Sequence, residues 1–474
     1  MREVEVHSIP LGRLASLLQP DRAHRLAEYA ARALTLLDGR TVWNINATAS
    51  GGGVAEMLQA LLAYGRGAGV DARWLVLDGT PQFFRFTKRL HNHLHGVAGD
   101  GGPIGDEERE IYEKVMADNL AHLQGVVHAG DIVLLHDPQP AGLVAGLRDS
   151  GAHVVWRCHV GRDTPNELTD GAWKFLRPYV EQAEAVIFSR QEFAPEWVEP
   201  NRLWLIPPSL DPFSAKNRDL PRNDVEAALR HTSLVRVPRD HGSLEFVRRD
   251  GSSGTVRRLT DLMLAGGPVP GHARLVLQVS RWDRLKDMAG VLTGFVARLA
   301  DLPDDTHLML VGPDVTGVSD DPEGAEVLAE CLAIWRRQPA SARRRLHLCS
   351  LPLDDTDENA HLVNALQRYA TVVVQKSLVE GFGLTVTEPM WKARPVVASK
   401  VGGIQDQIVD RVSGLLVDDP YDLDEFGTDL LEMLSDTDLA ARLGTGARER
   451  VRDQYLGDRH LIQYVDLFEC LLRG

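Results

Sequence analysis

Two glutamates eight positions apart frame the run Glu380-Gly381-Phe382-Gly383-Leu384-Thr385-Val386-Thr387-Glu388, a few residues past the apolar stretch Thr371-Val372-Val373-Val374. Such a stretch reads as a buried parallel strand. The two glycines around Phe382 give it a tight turn where backbone can approach a ligand closely, and residues 384–391 have helical spacing. A strand, a glycine turn and a helix N-terminus together form an anion site, because free N–H groups and the helix dipole both favour phosphate. Carboxylates are poor phosphate ligands and good partners for sugar hydroxyls. The combination suggests a phosphorylated sugar, with its phosphate at the turn and its hydroxyls at Glu380 and Glu388. The glycines alone would equally mark an ordinary turn.

A second cationic turn follows the apolar run 273–279. In Ser280-Arg281-Trp282-Asp283-Arg284-Leu285-Lys286-Asp287, Arg281 and Lys286 lie five apart at a strand end. A planar guanidinium and a compact ammonium suit a pyrophosphate. A solvated charged turn is the bland alternative, and two phosphate-type turns in one domain, at 281–286 and 381–385, weigh against it. In the first half Gly51-Gly52-Gly53 follows the strand pattern Thr41 to Asn46, and Glu56 lies in the helix that comes next. Three glycines admit an anion or a sugar to the backbone, or make a flexible turn, and the residues divide these readings about evenly. His136-Asp137-Pro138-Gln139 and Trp156-Arg157-Cys158-His159 close two further strands. Polar residues at such ends face the position where open α/β sheets bind ligands. Gly402-Gly403-Ile404 is another glycine pair at a strand end.

The elements that must position these residues alternate along the chain. Strand patterns at 41–46, 72–77, 131–135, 154–158, 185–188 and 204–206 are separated by helical patterns, including 54–64, 81–94 and 107–123. A second alternation uses 273–279, 307–311, 346–349, 371–374, 395–398 and 414–417. Strands alternating with helices imply parallel, doubly wound sheets. Residues 1–40 read as a helical extension and 439–472 as helical throughout. Asp250-Gly251-Ser252-Ser253-Gly254 and Gly266-Gly267-Pro268-Val269-Pro270-Gly271 are loop compositions, and residues 245–258 fit an insertion, a hairpin or a disordered loop. The expected organisation is a first domain over 1–210, a linker or insertion over 211–271, a second domain over 272–450 and a C-terminal helix over 451–474 packing back on the first. Asp354-Asp355-Thr356-Asp357 reads as a helix N-cap cluster.

The totals agree with a two-domain globular protein. The 474 residues are too many for one core, and 44% hydrophobic with 25% charged is ordinary for a globular protein. A net charge of −15 argues against nucleic acid or an anionic membrane as partner. Cys158, Cys331, Cys349 and Cys470 form no C-x-x-C pair, which argues against a zinc cluster and fits reduced thiols. No apolar leader or run of ~18 apolar residues is present. The location expected is the cytoplasm. The glycine loop is not G-x-G-x-x-G, so a nicotinamide dehydrogenase is not supported.

Arg281, Lys286 and the Glu380/Glu388 pair together resemble the E-x7-E retaining glycosyltransferases of the GT-B fold: α/β, two doubly wound Rossmann-like domains facing a central cleft. More narrowly, the run from Trp43 to Leu58, together with His136-Asp137-Pro138-Gln139-Pro140, Trp156-Arg157-Cys158-His159 and Val401-Gly402-Gly403-Ile404-Gln405-Asp406-Gln407, resembles the trehalose glycosyltransferring synthases. Fungal-type trehalose phosphorylases share part of the pattern. The resemblance implies a nucleoside-diphosphate glucose donor such as uridine- or adenosine-diphosphoglucose, a glucose acceptor and α,α-trehalose as product.

By match, Arg281 and Lys286 bind the diphosphate, with the backbone of Leu384 and Thr385. Glu388 binds the ribose. Glu380, with Gly381, Phe382 and Gly383, binds the glucosyl hydroxyls. The base lies near Leu353, Gly402 adds to the donor side, and His159 contacts the donor sugar. Gly51, Gly52, Gly53, Glu56, His136 and Asp137 form the acceptor side. The implied chemistry is front-face transfer, in which the leaving diphosphate oxygen takes the acceptor proton. No metal is required, Mg2+ can accompany the nucleotide sugar, and a homodimer is compatible with the resemblance. A trehalose phosphorylase is the nearest rival, and a non-catalytic sugar-nucleotide sensor the rival from another class.

Overall fold

Apolar runs become strands where alternate residues can be buried on opposite sides. The computed structural model describes all residues except 50–51, 239–240, 260, 316–321 and 474, and the chain divides into two units. One comprises residues 1–210, 380–382 and 455–474; the other comprises 211–379 and 383–454.

The first unit is built on a seven-stranded sheet in the order Arg2–Glu3, Ala72–Val76, Val42–Asn46, Ile132–His136, His153–Cys158, Ala185–Phe188, Leu203–Leu205. Arg2–Glu3 pairs antiparallel with Leu75 and Val76, and the other neighbours are parallel. Val133 and Leu135 enter one core with Trp43, Trp156 and Phe188, while Ile132 and Leu134 enter another with Ile187 and Phe468. Burial on both faces explains why residues 132–135 form a continuous apolar run rather than an alternating one.

The second unit has its own seven-stranded sheet, in the order Met263–Ala265, Leu346–Leu351, Thr306–Pro313, Arg274–Val279, Val372–Gln375, Val396–Ser399, Leu415–Val417. Its six parallel strands follow the 3-2-1-4-5-6 order of a doubly wound sheet. Leu308 and Leu310 face one core, Met309 and Val311 the other.

Two segments differ from their sequence patterns, and a third, residues 211–271, takes the hairpin that its sequence left among the alternatives. Residues 1–40 hold the edge strand Arg2–Glu3 besides the helices Leu11–Ala15 and Pro20–Leu36. The C-terminal helical run breaks into Thr437–Gln454 and Gly457–Arg473, because the backbone between them turns to Leu210, whose N–H donates to the Tyr455 carbonyl at 2.8 Å. Residues 211–271 supply the helix Arg222–His231, the hairpin Glu245–Val247/Ser253–Thr255 and the antiparallel edge strand Met263–Ala265. All three belong to the second unit, where Phe246 and Val256 are buried with Leu362 and Leu366 of helix Thr356–Tyr369. Asp355 caps that helix, accepting from the N–H groups of Asp357 and Glu358. Among the described residues no helix is long and apolar enough to cross a membrane.

Leu310 is fully buried in the second sheet, so Leu310→Ala should lower stability by roughly 2–5 kcal/mol. Val412→Ala, at a side chain 58% exposed, should stay within about 0.5 kcal/mol of the parent. Urea unfolding midpoints of the two variants, if equal, would contradict this placement of the core.

Candidate active site

In an open parallel sheet ligands bind beyond the strand C-termini, where the strand order reverses. In the first unit that point lies between Val42–Asn46 and Ile132–His136. Beyond these strands lie the glycine loop and His136-Asp137. Gly51 lies outside the described residues. Gly52 has an extended φ of 161° and caps the helix Gly53–Gly67. A methyl on Gly52 would meet no protein atom within 4 Å, so the fold itself does not demand glycine there. Glu56 is exposed in the first turn of that helix.

His136 is fully buried and chained to its neighbours. Its Nε2 lies 3.0 Å from Asn44 Oδ1, and its Nδ1 lies 3.1 Å from His159 Nε2. The two rings stack with centroids 5.4 Å apart. Burial pushes His136 down to about 3, and burial with the Arg157 charge holds His159 well below the usual histidine range, so both rings are neutral. With Asn44 Oδ1 accepting, His136 carries its proton on Nε2 and accepts at Nδ1 from His159 Nε2–H. That tautomer leaves Nδ1 of His159 as an acceptor.

Asp137 sits at φ 70°, in the left-handed region, with its N–H donating to the Arg157 carbonyl at 2.7 Å. Its Oδ1 accepts the His159 N–H at 2.7 Å. Burial pushes its carboxyl up to about 7, against that hydrogen bond and the Arg157 charge. Arg157 itself is fully buried. It donates to His460 Nε2 at 2.9 Å and to the Ile206 carbonyl at 2.8 Å, and it bonds Tyr464 Oη. His460 Nδ1 lies 2.8 Å from Ser209 Oγ. Arg157 therefore fastens the C-terminal helix to the sheet rather than presenting its charge at the strand end.

The tripeptide Glu380–Phe382 also belongs to this unit. A Cβ on Gly381 would stand 2.6 Å from the His159 carbonyl oxygen, so no side chain fits there. Phe382 lies with its ring centroid 5.6 Å from that of Tyr455, and Glu380 is 9% exposed.

In the second unit the order reverses between Arg274–Val279 and Val372–Gln375. The segments beyond them are the two phosphate-type turns, and they are knitted together. The Leu378 N–H donates to the Leu285 carbonyl at 2.8 Å, and Ser280 Oγ donates to Gln375 Oε1 at 3.1 Å. Gln278 Nε2 holds the Lys286 carbonyl at 2.8 Å. Arg281 is exposed and bonds Asp283 at 2.9 Å; Lys286 is half-buried at the end of the turn Arg284–Lys286. Gly383, at φ 88°, begins the helix Leu384–Trp391, which no side chain caps, so its first amides, at Leu384 and Thr385, have no intrahelical partner. Gln407 braces this turn: its Nε2 donates to the Gly383 carbonyl at 3.3 Å and its Oε1 accepts from Thr387 Oγ1 at 2.5 Å. Gly402 (φ 48°) and the exposed Leu353 follow the ends of two further strands of the sheet.

Glu388 is buried, and both of its oxygens are engaged. Gln367 Nε2 donates to one at 3.1 Å, and Lys216 Nζ lies 3.4 Å from the other. Lys392 Nζ donates to Asn217 Oδ1, Gln367 Oε1 and the Glu388 carbonyl at 3.0, 2.7 and 3.1 Å. Burial lowers its pKa, opposed by Glu388, and three acceptors are what an ammonium needs.

Sequence reasoning missed Asn44, Lys216, Gln367, Lys376, Lys392 and His460. A signal existed for Lys376: a charged residue one step past the buried strand Val372–Gln375, whose first three residues are valine. The partners from distant segments left none.

The two doubly wound sheets, together with the matches to known proteins, make this chain a glycosyltransferase of the GT-B type. Residues 44–195 match the family model "Trehalose synthase, N-terminal domain" and residues 356–450 the model "Glycosyl transferases group 1". The chain is 35% identical over 463 residues to the trehalose synthase of Rubrobacter xylanophilus, covering 96% of each. It is 26% identical to the trehalose phosphorylase of Pleurotus pulmonarius over 86% of this chain and 54% of that protein. A solved trehalose-6-phosphate structure from E. coli, bound with UDP-2-fluoro glucose, shares the fold at a TM-score of 0.66 and 15% identity, over 92% of this chain and 99% of the other. The chain belongs to the trehalose synthase family, and is a trehalose-related hexosyltransferase.

Asp137 carries a pH signature. Native Asp137 keeps its proton up to about 7, whereas an unfolded aspartate loses it near ~3.9. Between these values the native state binds more protons, so this group's contribution to stability declines as pH rises through that window, by up to about 1.4 kcal/mol per pH unit. Asp137→Asn removes the term. Urea midpoints measured from pH 5 to 8 should show the parent losing ground to the variant up to about pH 7 and then levelling; a gap independent of pH would refute the raised pKa.

Proposed function

We propose that this protein moves glucose, with retention, from a nucleoside-diphosphate glucose to glucose, forming α,α-trehalose. The observation that carries the reading is the joining of the two phosphate-type turns at the reversal of strand order in the second sheet, in a chain of the trehalose synthase family. Arg281, Lys286 and the free amides of the helix beginning at Leu384 would balance charge growing on the leaving diphosphate. Glu388, aimed by Gln367 and Lys216, would take the ribose, and Leu353 and Gly402 would border the nucleotide. Glu380 and the Gly381–Gly383 backbone would hold the glucosyl hydroxyls, with His159 offering Nδ1 as an acceptor to the same sugar. The openness at Gly52 supports an acceptor-side role for Gly51–Gly53, with Glu56, His136 and Asp137 completing that side.

The proton of the attacking hydroxyl would pass to the departing diphosphate oxygen, so the bond to the acceptor forms on the face that the leaving group vacates. No carboxylate nucleophile is needed. The chemistry needs no metal ion; Mg2+ would enter only as a partner of the nucleotide sugar. A second reading, phosphorolysis of trehalose, has the similar trehalose phosphorylase in its favour.

Incubation with uridine-, adenosine- and guanosine-diphosphoglucose plus glucose, followed by NMR of the disaccharide, should give α,α-trehalose. A β linkage would end the retaining reading. Glucose 1-phosphate released from trehalose and phosphate, without turnover of any nucleotide sugar, would favour the phosphorylase. Lys286→Ala should lower kcat/KM by on the order of 10²–10³-fold with an unchanged circular dichroism spectrum; near-parental turnover would remove Lys286 from the diphosphate.

A further inference from the structure

The one lysine following the strand Val372–Gln375 is fully buried, which is rare for lysine unless it is paired. Lys376 Nζ bonds the Asp287 carboxylate and donates to the Pro420 carbonyl at 2.5 Å. Asp287 is the residue immediately after Lys286. It holds φ 46° and ψ 44°, a left-handed conformation that costs an L-residue energy. Its other carboxylate oxygen accepts the Gly290 N–H at 3.1 Å and so caps the helix Met288–Ala297. Gly290 has to be glycine for this, since a Cβ there would stand 2.1 Å from the carboxylate. The carbonyl of Lys286 is held from the other side by Gln278. Two buried side chains, Gln278 in its strand and Lys376 just past the neighbouring strand, thereby hold the Lys286 carbonyl and the Asp287 carboxylate on either side of this peptide bond.

We infer that Lys376 is a positioning residue: by neutralising Asp287 and holding its left-handed turn, it aims Lys286 at the donor diphosphate and locks the 281–287 turn to the segment leading into Glu380. The inference rests on the proposed donor site. Without Lys376 the buried carboxylate has no counter-charge, and burial already raises its pKa. A protonated or displaced Asp287 would release the turn, and a misplacement of about 1 Å at such a group can cost on the order of 10²-fold in rate.

The test uses Lys376→Met, which keeps length and removes charge, and the double variant Lys376→Met/Asp287→Asn. Asparagine tolerates the left-handed region and still caps a helix. Lys376→Met should raise KM for the nucleotide glucose about tenfold or more, leave KM for glucose within about twofold, and speed amide exchange over residues 281–290. The double variant should recover part of both losses, because the unpaired buried charge is gone. If Lys376→Met does not fold, Asp287→Asn alone should still raise the donor KM. Parental donor KM with parental exchange in Lys376→Met would overturn the inference. Calorimetry on the parent separates the two levels. A parent that takes up no nucleoside-diphosphate glucose sinks the proposed function; faster exchange in Lys376→Met would then mark Lys376 as structural only and overturn its positioning role.

Discussion

A parallel sheet covered on both faces has only its strand ends on which to carry chemistry. The central strands of these two sheets give alternate side chains to two separate cores, so a polar group in mid-strand, such as Asn44 or Gln278, is buried and needs a protein partner. Hydrogen-bonding groups are therefore crowded past the C-termini, where the reversal of strand order opens a gap between neighbouring connections. The candidates at the strand ends, His136, Asp137, His159 and Arg281, follow from that constraint.

The two units solve the cost of buried polarity in different ways. In the first, a chain of neutral groups runs from Asn44 through His136 to His159, and both imidazoles are kept uncharged by burial. The one fully buried charge beside them, on Arg157, is satisfied by His460, Tyr464 and the Ile206 carbonyl, and is spent on attaching the C-terminal helix. In the second, charges are kept and paired: Lys376 with Asp287, Lys216 with Glu388. A neutral chain suits recognition of hydroxyls, which both donate and accept. Paired charges suit a site that must hold cationic side chains in place for an anionic ligand.

The segment 211–271 is held by apolar burial more than by its visible ion pairs. Arg248, Arg249 and Arg257 face Asp354, Asp355, Asp357 and Glu358, but most of these guanidinium and carboxylate groups are partly exposed. Exposed pairs of this kind contribute little, because water and salt screen them. Burying one aromatic side chain such as Phe246, stacked on His361 at 5.2 Å, contributes about 1.5–3 kcal/mol. The ion pairs fix where the hairpin lies along helix Thr356–Tyr369, and the apolar contacts keep it there.

The sequence by itself determined the two alternations of strand and helix, because buried parallel strands are predominantly apolar runs and helices must keep their 3.6-residue stripe. It also marked Gly383, whose φ of 88° glycine supplies most cheaply, and the cationic turn at 281–286. Only the tertiary structure decided which polar residues meet. Lys376 and Asp287 are 89 positions apart, Lys392 and Asn217 are 175, and Arg157 and His460 are 303. Such pairs have no local spacing rule, since their partners are chosen by strand order. The break at Tyr455–Leu456 was hidden for the same reason: its backbone groups are satisfied by Leu210, and nothing in the neighbouring residues announces that partner.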